Sequence, residues 1–132
     1  MLTITSKGPY AVSALTELAR LAGSGPVPIG EIARRRHIPV QFLEGIFATL
    51  RRAGILQSQR GVGGGYLFAR PPGEITALEV CQQLEGALQA DALPADIWIE
   101  AVEALRGVLR GVTIAELAER ESRAAGAAMY HI

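Results

Sequence analysis

Apolar residues recur along this 132-residue chain mostly at helical spacing, and the places where that spacing breaks divide it into elements. From Lys7 to Ala22, the positions Val12, Leu15, Leu18, Ala19 and Ala22 fall three or four apart, which predicts an amphipathic helix. Glycine and proline in "GSGP" (Gly23 to Pro26) stop it. A second, short helix is expected from about Ile29 to Arg36, with Ile29, Ile32 and Ala33 inward and Arg34, Arg35 and Arg36 mostly outward. "HIP" interrupts the pattern, and Val40 to Ala53 predicts a third helix with Leu43, Phe47 and Leu50 on one stripe. Pro39 opens that helix and Gly54 closes it.

The period then changes. "ILQSQR" (Ile55 to Arg60) and "YLFAR" (Tyr66 to Arg70) read as two short strands joined through "GVGGG", a hairpin that Pro71 and Pro72 end because neither can donate to a ladder. A phosphate-binding loop is excluded: the dinucleotide fingerprint needs glycine where Tyr66 stands and a helix directly after it. "TALE" (Thr76 to Glu79) is a capping box that starts a fourth helix running to about Leu84. The longest helix is expected from Pro94 to Leu109, where Trp98, Val102, Leu105 and Leu109 form a heptad-like stripe suited to packing on a partner. "TIAE" (Thr113 to Glu116) caps a last short helix, and "SRAAGAAMYHI" reads as a tail. The organisation expected is 1–75 as one region of three helices and the hairpin, 76–122 as a region of later helices and 123–132 as a tail.

Composition narrows the class. Apolar residues make up 49% of the chain, enough for one core at this length, and no uncharged stretch reaches the roughly 18 residues of a membrane span, so a soluble cytoplasmic protein is expected. The formal net charge of zero hides a division: residues 1–75 carry nine basic and four acidic residues, a surplus of five, and residues 76–132 carry the reverse. The first part can face a polyanion that the second would repel; clustering of solvated charges is the plain alternative. The single cysteine, Cys81, excludes an internal disulfide, and its largely apolar stretch favours a buried small hydrophobe over a redox sensor. His37 and His131 are isolated, which leaves a metal site without support and an enzyme without a base, orienter and nucleophile elbow.

Three helices followed by a two-stranded hairpin describe a mainly α winged helix-turn-helix, with a two-stranded β wing and a long C-terminal dimerisation helix. In that arrangement the third helix fits the major groove and the wing reaches the minor groove or the backbone. Gly63 and Gly64 at the tip let the backbone approach a duplex, and Arg60 at its base is placed for the minor groove, where negative potential attracts guanidinium. Glycines that merely permit a turn are the alternative. Arg51 and Arg52, near the end of the third helix, read either as phosphate contacts or as solvated charges.

"TSKGPYAV" (Thr5 to Val12), "FLEGIFATLRRAGIL" (Phe42 to Leu56), "RGVGGGYLFARPPGEIT" (Arg60 to Thr76) and "VTIAEL" (Val112 to Leu117) resemble the family of small bacterial winged-helix regulators that includes the iron–sulfur cluster regulator IscR and the cysteine-metabolism repressor CymR. The resemblance implies a homodimer on palindromic DNA, most simply a repressor, with Trp98, Val102, Leu105 and Leu109 at the dimer interface. It places Gln41 and Glu44 against base edges, a role both suit, since glutamine can pair with adenine and a carboxylate can accept from cytosine. Ser6, Lys7 and Tyr10 look like phosphate contacts at a helix start. The family pattern is broken at Gly45, where a polar residue is usual, and at Pro39, where serine is. The cluster-binding branch carries three cysteines between the fourth helix and the long one; "EGALQADALPADIW" (Glu85 to Trp98) has none, so no such cofactor is expected. The branch without them is controlled through a complex with cysteine synthase, whose pocket accepts peptides ending in isoleucine. Tyr130 and Ile132 would meet such a pocket if the tail does not pack on its own domain. A protein-interaction module acting through such an enzyme, without DNA binding, is the alternative function.

Overall fold

The computed structural model describes residues 7–21, 23, 25–86 and 96–129. Helix α1 spans Lys7–Arg20, α2 Ile29–Arg36 and α3 Val40–Arg52; strands β1 (Leu56–Gln59) and β2 (Gly65–Phe68) follow. A single 3-10 turn, Pro72–Glu74, leads into α4 (Ala77–Glu85), and α5 (Asp96–Arg110) and α6 (Ile114–Met129) complete the described chain.

The expected apolar stripes converge. Leu15 and Leu18 of α1, Ile32 of α2, and Leu43, Phe47 and Leu50 of α3 are all at most 2% exposed and belong to one cluster. Ile75, Val80 of α4 and Ile114 of α6 sit in the same cluster, so one core crosses the expected boundary at residue 75. Removing the Phe47 ring from such a site typically costs about 3–5 kcal/mol, because the cavity left behind adds to the lost transfer energy.

The antiparallel strands pair from Leu56 with Phe68 to Gln59 with Gly65. A hairpin alone is marginal in water. This one is anchored twice: Val27 exchanges backbone hydrogen bonds with Tyr66 at 3.0 and 2.8 Å, and the Tyr66 ring meets Phe47 edge-on at 4.9 Å.

Both expected caps form. The Thr76 hydroxyl accepts from the Glu79 N–H and the Thr113 hydroxyl from the Glu116 N–H, each at 3.1 Å. The two cap residues also pair as an antiparallel bridge, with Ala77 donating to Val112 and Ile114 to Ile75, so the starts of α4 and α6 are joined through the backbone.

Two expectations on length change. The last helix is not short: α6 has 16 residues against 15 in α5, and it takes in the expected tail as far as Met129. Alanines at 124, 125, 127 and 128 are strong helix formers, and the single Gly126 does not outweigh them. Tyr130 and Ile132, like Ser6 and Pro94, lie outside the described residues.

The expected interface stripe on α5 divides between the chain and solvent, with Trp98 47% exposed. Val102 is only 2% exposed because Leu78 of α4 covers it, with Leu105 and Leu109 packed half-buried on the same small cluster. These residues fasten α5 to its own chain. The side of α5 that stays apolar and exposed carries Ile97, Ala101, Ala104 and Val108, spaced four, three and four; Ile97 is 60% and Val108 70% exposed.

Candidate nucleic-acid interface

The turn between α2 and α3 fixes the direction of α3. His37 adopts the left-handed conformation (φ 55°), which lets its own N–H and that of Ile38 both reach the Ala33 carbonyl and end α2 sharply. Pro39 then starts α3. With Leu43, Ile46, Phe47 and Leu50 turned into the core, α3 presents Gln41, Glu44 and Gly45 to solvent from its first two turns, and Arg51 and Arg52 from its last.

The start of α1 lies beside this face. Tyr10, itself exposed, meets Phe42 edge-on at 5.5 Å. Lys7 and Gln41 line one cleft of about 280 Å³ together with Phe42, Gly45 and Thr49 of α3 and Leu84 of α4. The expected phosphate contact and the expected base reader thus share a surface, and the Cβ-less Gly45 keeps it open.

The wing is joined to the other end of α3. Arg51 donates to the Ser58 hydroxyl at 3.4 Å, across from α3 to β1. At the tip, Gly64 donates to Gly61 at 3.0 Å in a turn that leaves Val62 wholly exposed and Arg60 exposed beside it. Two of the glycines serve the fold. A Cβ on Gly65 would stand 2.3 Å from the Val27 carbonyl, and one on Gly64 would stand 2.4 Å from the Gln59 carbonyl oxygen. Gly61 and Gly63, both exposed with φ 97° and 76°, are the ones that leave the tip bare. Sequence patterning did not single out Val62 or Thr49, since neither interrupts a period.

The basic surplus of the first 75 residues is partly consumed within the fold. Arg20, Arg34, Arg35, Arg36 and Arg70 all form ion pairs, with Glu121, Glu31, Glu17 and Glu79 among their partners. Arg36, expected to point mostly outward, is drawn in between Glu17 and Glu121. Among the described residues, the arginines of this part that make no ion pair are Arg51, Arg52 and Arg60. They lie on the last turn of α3 and on the wing.

A trihelical core with a short turn between its second and third helices, and a hairpin packed against the third, defines a winged helix-turn-helix of the transcription-regulator class. The chain belongs to the Rrf2 family, described as iron-dependent transcriptional regulators, whose model matches residues 4–120. The HTH-type transcriptional regulator IscR of Cronobacter sakazakii is 36% identical over 131 residues, 89% of this chain and 81% of that one. The same regulator of Serratia proteamaculans is 37% identical, covering 89% and 80%. Among solved structures, CymR, the global cysteine regulator of B. subtilis, matches with a TM-score of 0.80 and 32% identity over 91% of this chain and 98% of that one. T. potens IscR matches with a TM-score of 0.81 and 32% identity over 93% and 90%. The family and fold expected from the motifs are borne out, and these relatives are regulators, a non-enzymatic family.

The family description raises iron. Iron–sulfur clusters are held chiefly by several cysteine thiolates. This chain has one cysteine, and Cys81 is buried; burial pushes its thiol above the usual range, and the neighbouring Glu85 adds to that. Among the described residues no three His, Cys, Asp or Glu side chains group as metal ligands. The donor set does not fit a cluster.

Proposed function

We propose that this regulator binds palindromic duplex DNA as a homodimer and represses transcription without a cluster. The carrying observation is that the unpaired arginines Arg51, Arg52 and Arg60 fall on the same α3 and wing whose polar residues are exposed. Guanidinium groups without an acidic partner are available to phosphate, and their clustering around one helix marks the side that meets the duplex. Gln41 and Glu44 then read base edges in the major groove, Ser6, Lys7 and Tyr10 hold phosphates, and Arg60 enters the minor groove with Gly63 beside it.

Dimerisation through α5 uses the exposed stripe of Ile97, Ala101, Ala104 and Val108, because Val102 is already covered within the chain. Alanines in the middle of the stripe permit close helix approach, and the large residues at its ends supply buried area. Among the described residues no helix is long and apolar enough to cross a membrane, in keeping with a DNA ligand.

A gel shift of the full chain on duplexes recovered by selection from a random pool tests this. Affinity should fall steeply with salt, as expected when several phosphates release counterions. No retained duplex, or retention indifferent to salt, would sink the reading.

A further inference from the structure

Helix α6 follows α5 after a three-residue link and lies against α1, where it is fastened by charge. Arg36, the last residue of α2, donates from Nε to Glu17 of α1 at 2.9 Å. Its two terminal nitrogens reach the two carboxylate oxygens of Glu121 on α6 at 3.1 and 2.5 Å. Arg20 of α1 meets the same Glu121 carboxylate at 3.4 Å, and Arg35 reaches Glu17 at 3.5 Å. The Arg36 and Glu17 side chains are 16% and 8% exposed, so the centre of the network is largely shielded from water.

This network is one of the connections between α5 and the groove-reading helices, beside the backbone bridge of Thr76 with Thr113 at the start of α6. Another is the small apolar contact of Val102 with Leu78, where α5 meets α4. Apolar contact is non-directional and tolerates small slides. The connection through the network runs along α6 to Arg36, at the entrance to the turn that aims α3. A two-pronged guanidinium–carboxylate pair fixes both distance and rotation. Its loss would free the later turns of α6 to swing against α2, while the backbone bridge at Thr113 and the packing of Ile114 and Leu117 hold its start.

We propose that Arg36 and Glu121 are positioning residues that fix the separation and rotation of the two α3 helices in the dimer, and so set the operator half-site spacing the regulator accepts. The inference rests on the DNA-binding dimer proposed above. The tolerance at stake is small: one base pair moves a half-site by about 3.4 Å and turns it by about 35°. Movement of that order between α6 and α2 would let a dimer engage a neighbouring spacing.

The two partners are not equivalent as test sites. Replacing Arg36 would leave Glu17 buried with only Arg35 at 3.5 Å, and an uncompensated buried charge is strongly destabilising. Replacing Glu121 leaves Arg36 bonded to Glu17 and within 3.4 Å of the Ser13 hydroxyl. Glu121→Ala is therefore the variant to make, with the isosteric Glu121→Gln as a milder second one that serves equally if the first unfolds.

The experiment takes the operator recovered by selection with the wild-type chain and lengthens or shortens its centre by one and two base pairs. Wild type should lose about tenfold or more in affinity for each base pair, the loss of an ordinary base contact. Glu121→Ala, folded and dimeric by sedimentation, should keep its affinity for the selected spacing while losing less than about threefold at one base pair either way. Glu121→Gln should fall between. Discrimination as sharp as wild type in both variants, or an equal loss at every spacing, would overturn the positioning role. A wild type that sediments as a monomer or retains no duplex would instead remove the DNA-binding dimer, and the inference with it.

Discussion

Gln41 and Glu44 stand on the exposed side of α3 and Lys7 at the start of α1, and the two placements make different demands on DNA. Gln41→Ala and Glu44→Ala should each relax preference at particular base pairs by about 1–3 kcal/mol. Lys7→Ala should weaken binding to every sequence and lower the salt slope by about one. Selection from random duplexes and salt titration of each variant separate the two effects; uniform losses for all three would take α3 out of the groove. Cys81 makes the opposite kind of prediction. Its thiol is pushed up by burial and by Glu85, so less thiolate exists near neutrality than for a free cysteine. It should react with an aromatic disulfide reagent more slowly than a free thiol at pH 7, with its rate rising only at higher pH. Reaction as fast as that of a free thiol would restore the sensor reading that the sequence left open.

The elements were legible where a period met a stop signal. The run of Val12, Leu15 and Leu18 gave α1, "TALE" gave the α4 cap, and the glycine cluster between two short apolar runs gave the hairpin. The length of α6 was misjudged because Gly126 and the polar Glu119–Arg123 stretch broke the apolar stripe. Beyond the packing of Ile114 and Leu117, its middle is held by Arg20 and Arg36, distant in sequence. That dependence has a pH signature. The Arg36 guanidinium, ahead of the Arg20 contribution, holds the Glu121 carboxyl below its ordinary value. A depressed carboxyl contributes stability above its unfolded pKa of about 4.3, and that contribution fades as pH falls through the lower folded value. Wild type should therefore exceed Glu121→Gln in urea midpoint near neutrality, and the gap should narrow as pH falls below the unfolded value and close only once pH has passed the lowered value in the folded chain, where both carry an uncharged group. A constant gap across that range would show that Glu121 acts through packing alone.

For the whole molecule, the decisive surface is the outer side of α5. Ile97, Ala101, Ala104 and Val108 form an exposed apolar stripe, and Trp98 beside them is 47% exposed. If the proposed dimer forms on this stripe, Val108→Glu, which touches none of the intrachain packing around Leu78, should leave the chain monomeric in sedimentation with its helical spectrum unchanged. An undisturbed dimer would move the interface elsewhere. Leu105→Glu is a poorer test, because Leu105 belongs to the cluster that holds α5 on α4 and its loss would act within the chain.

The order of elements, the winged-helix class, the family, inward residues such as Leu15, Leu18, Ile32, Leu43, Phe47 and Leu50, and the insufficiency of one cysteine for a cluster are all legible in the sequence. The family follows from the resemblance of four motifs, and the rest from local periods, caps, turn residues and donor counts, which are properties of neighbours along the chain. Tertiary structure alone decided that Val102, Leu105 and Leu109 pack on Leu78 while Ile97, Trp98 and Val108 stay exposed, since helical spacing is equally good at 98, 102, 105, 109 and at 97, 101, 104, 108. It also decided which arginines remain unpaired. The surplus of five positive charges in residues 1–75 is visible in the composition, but whether a given guanidinium faces DNA or a glutamate a hundred residues away depends on which helices the core brings side by side.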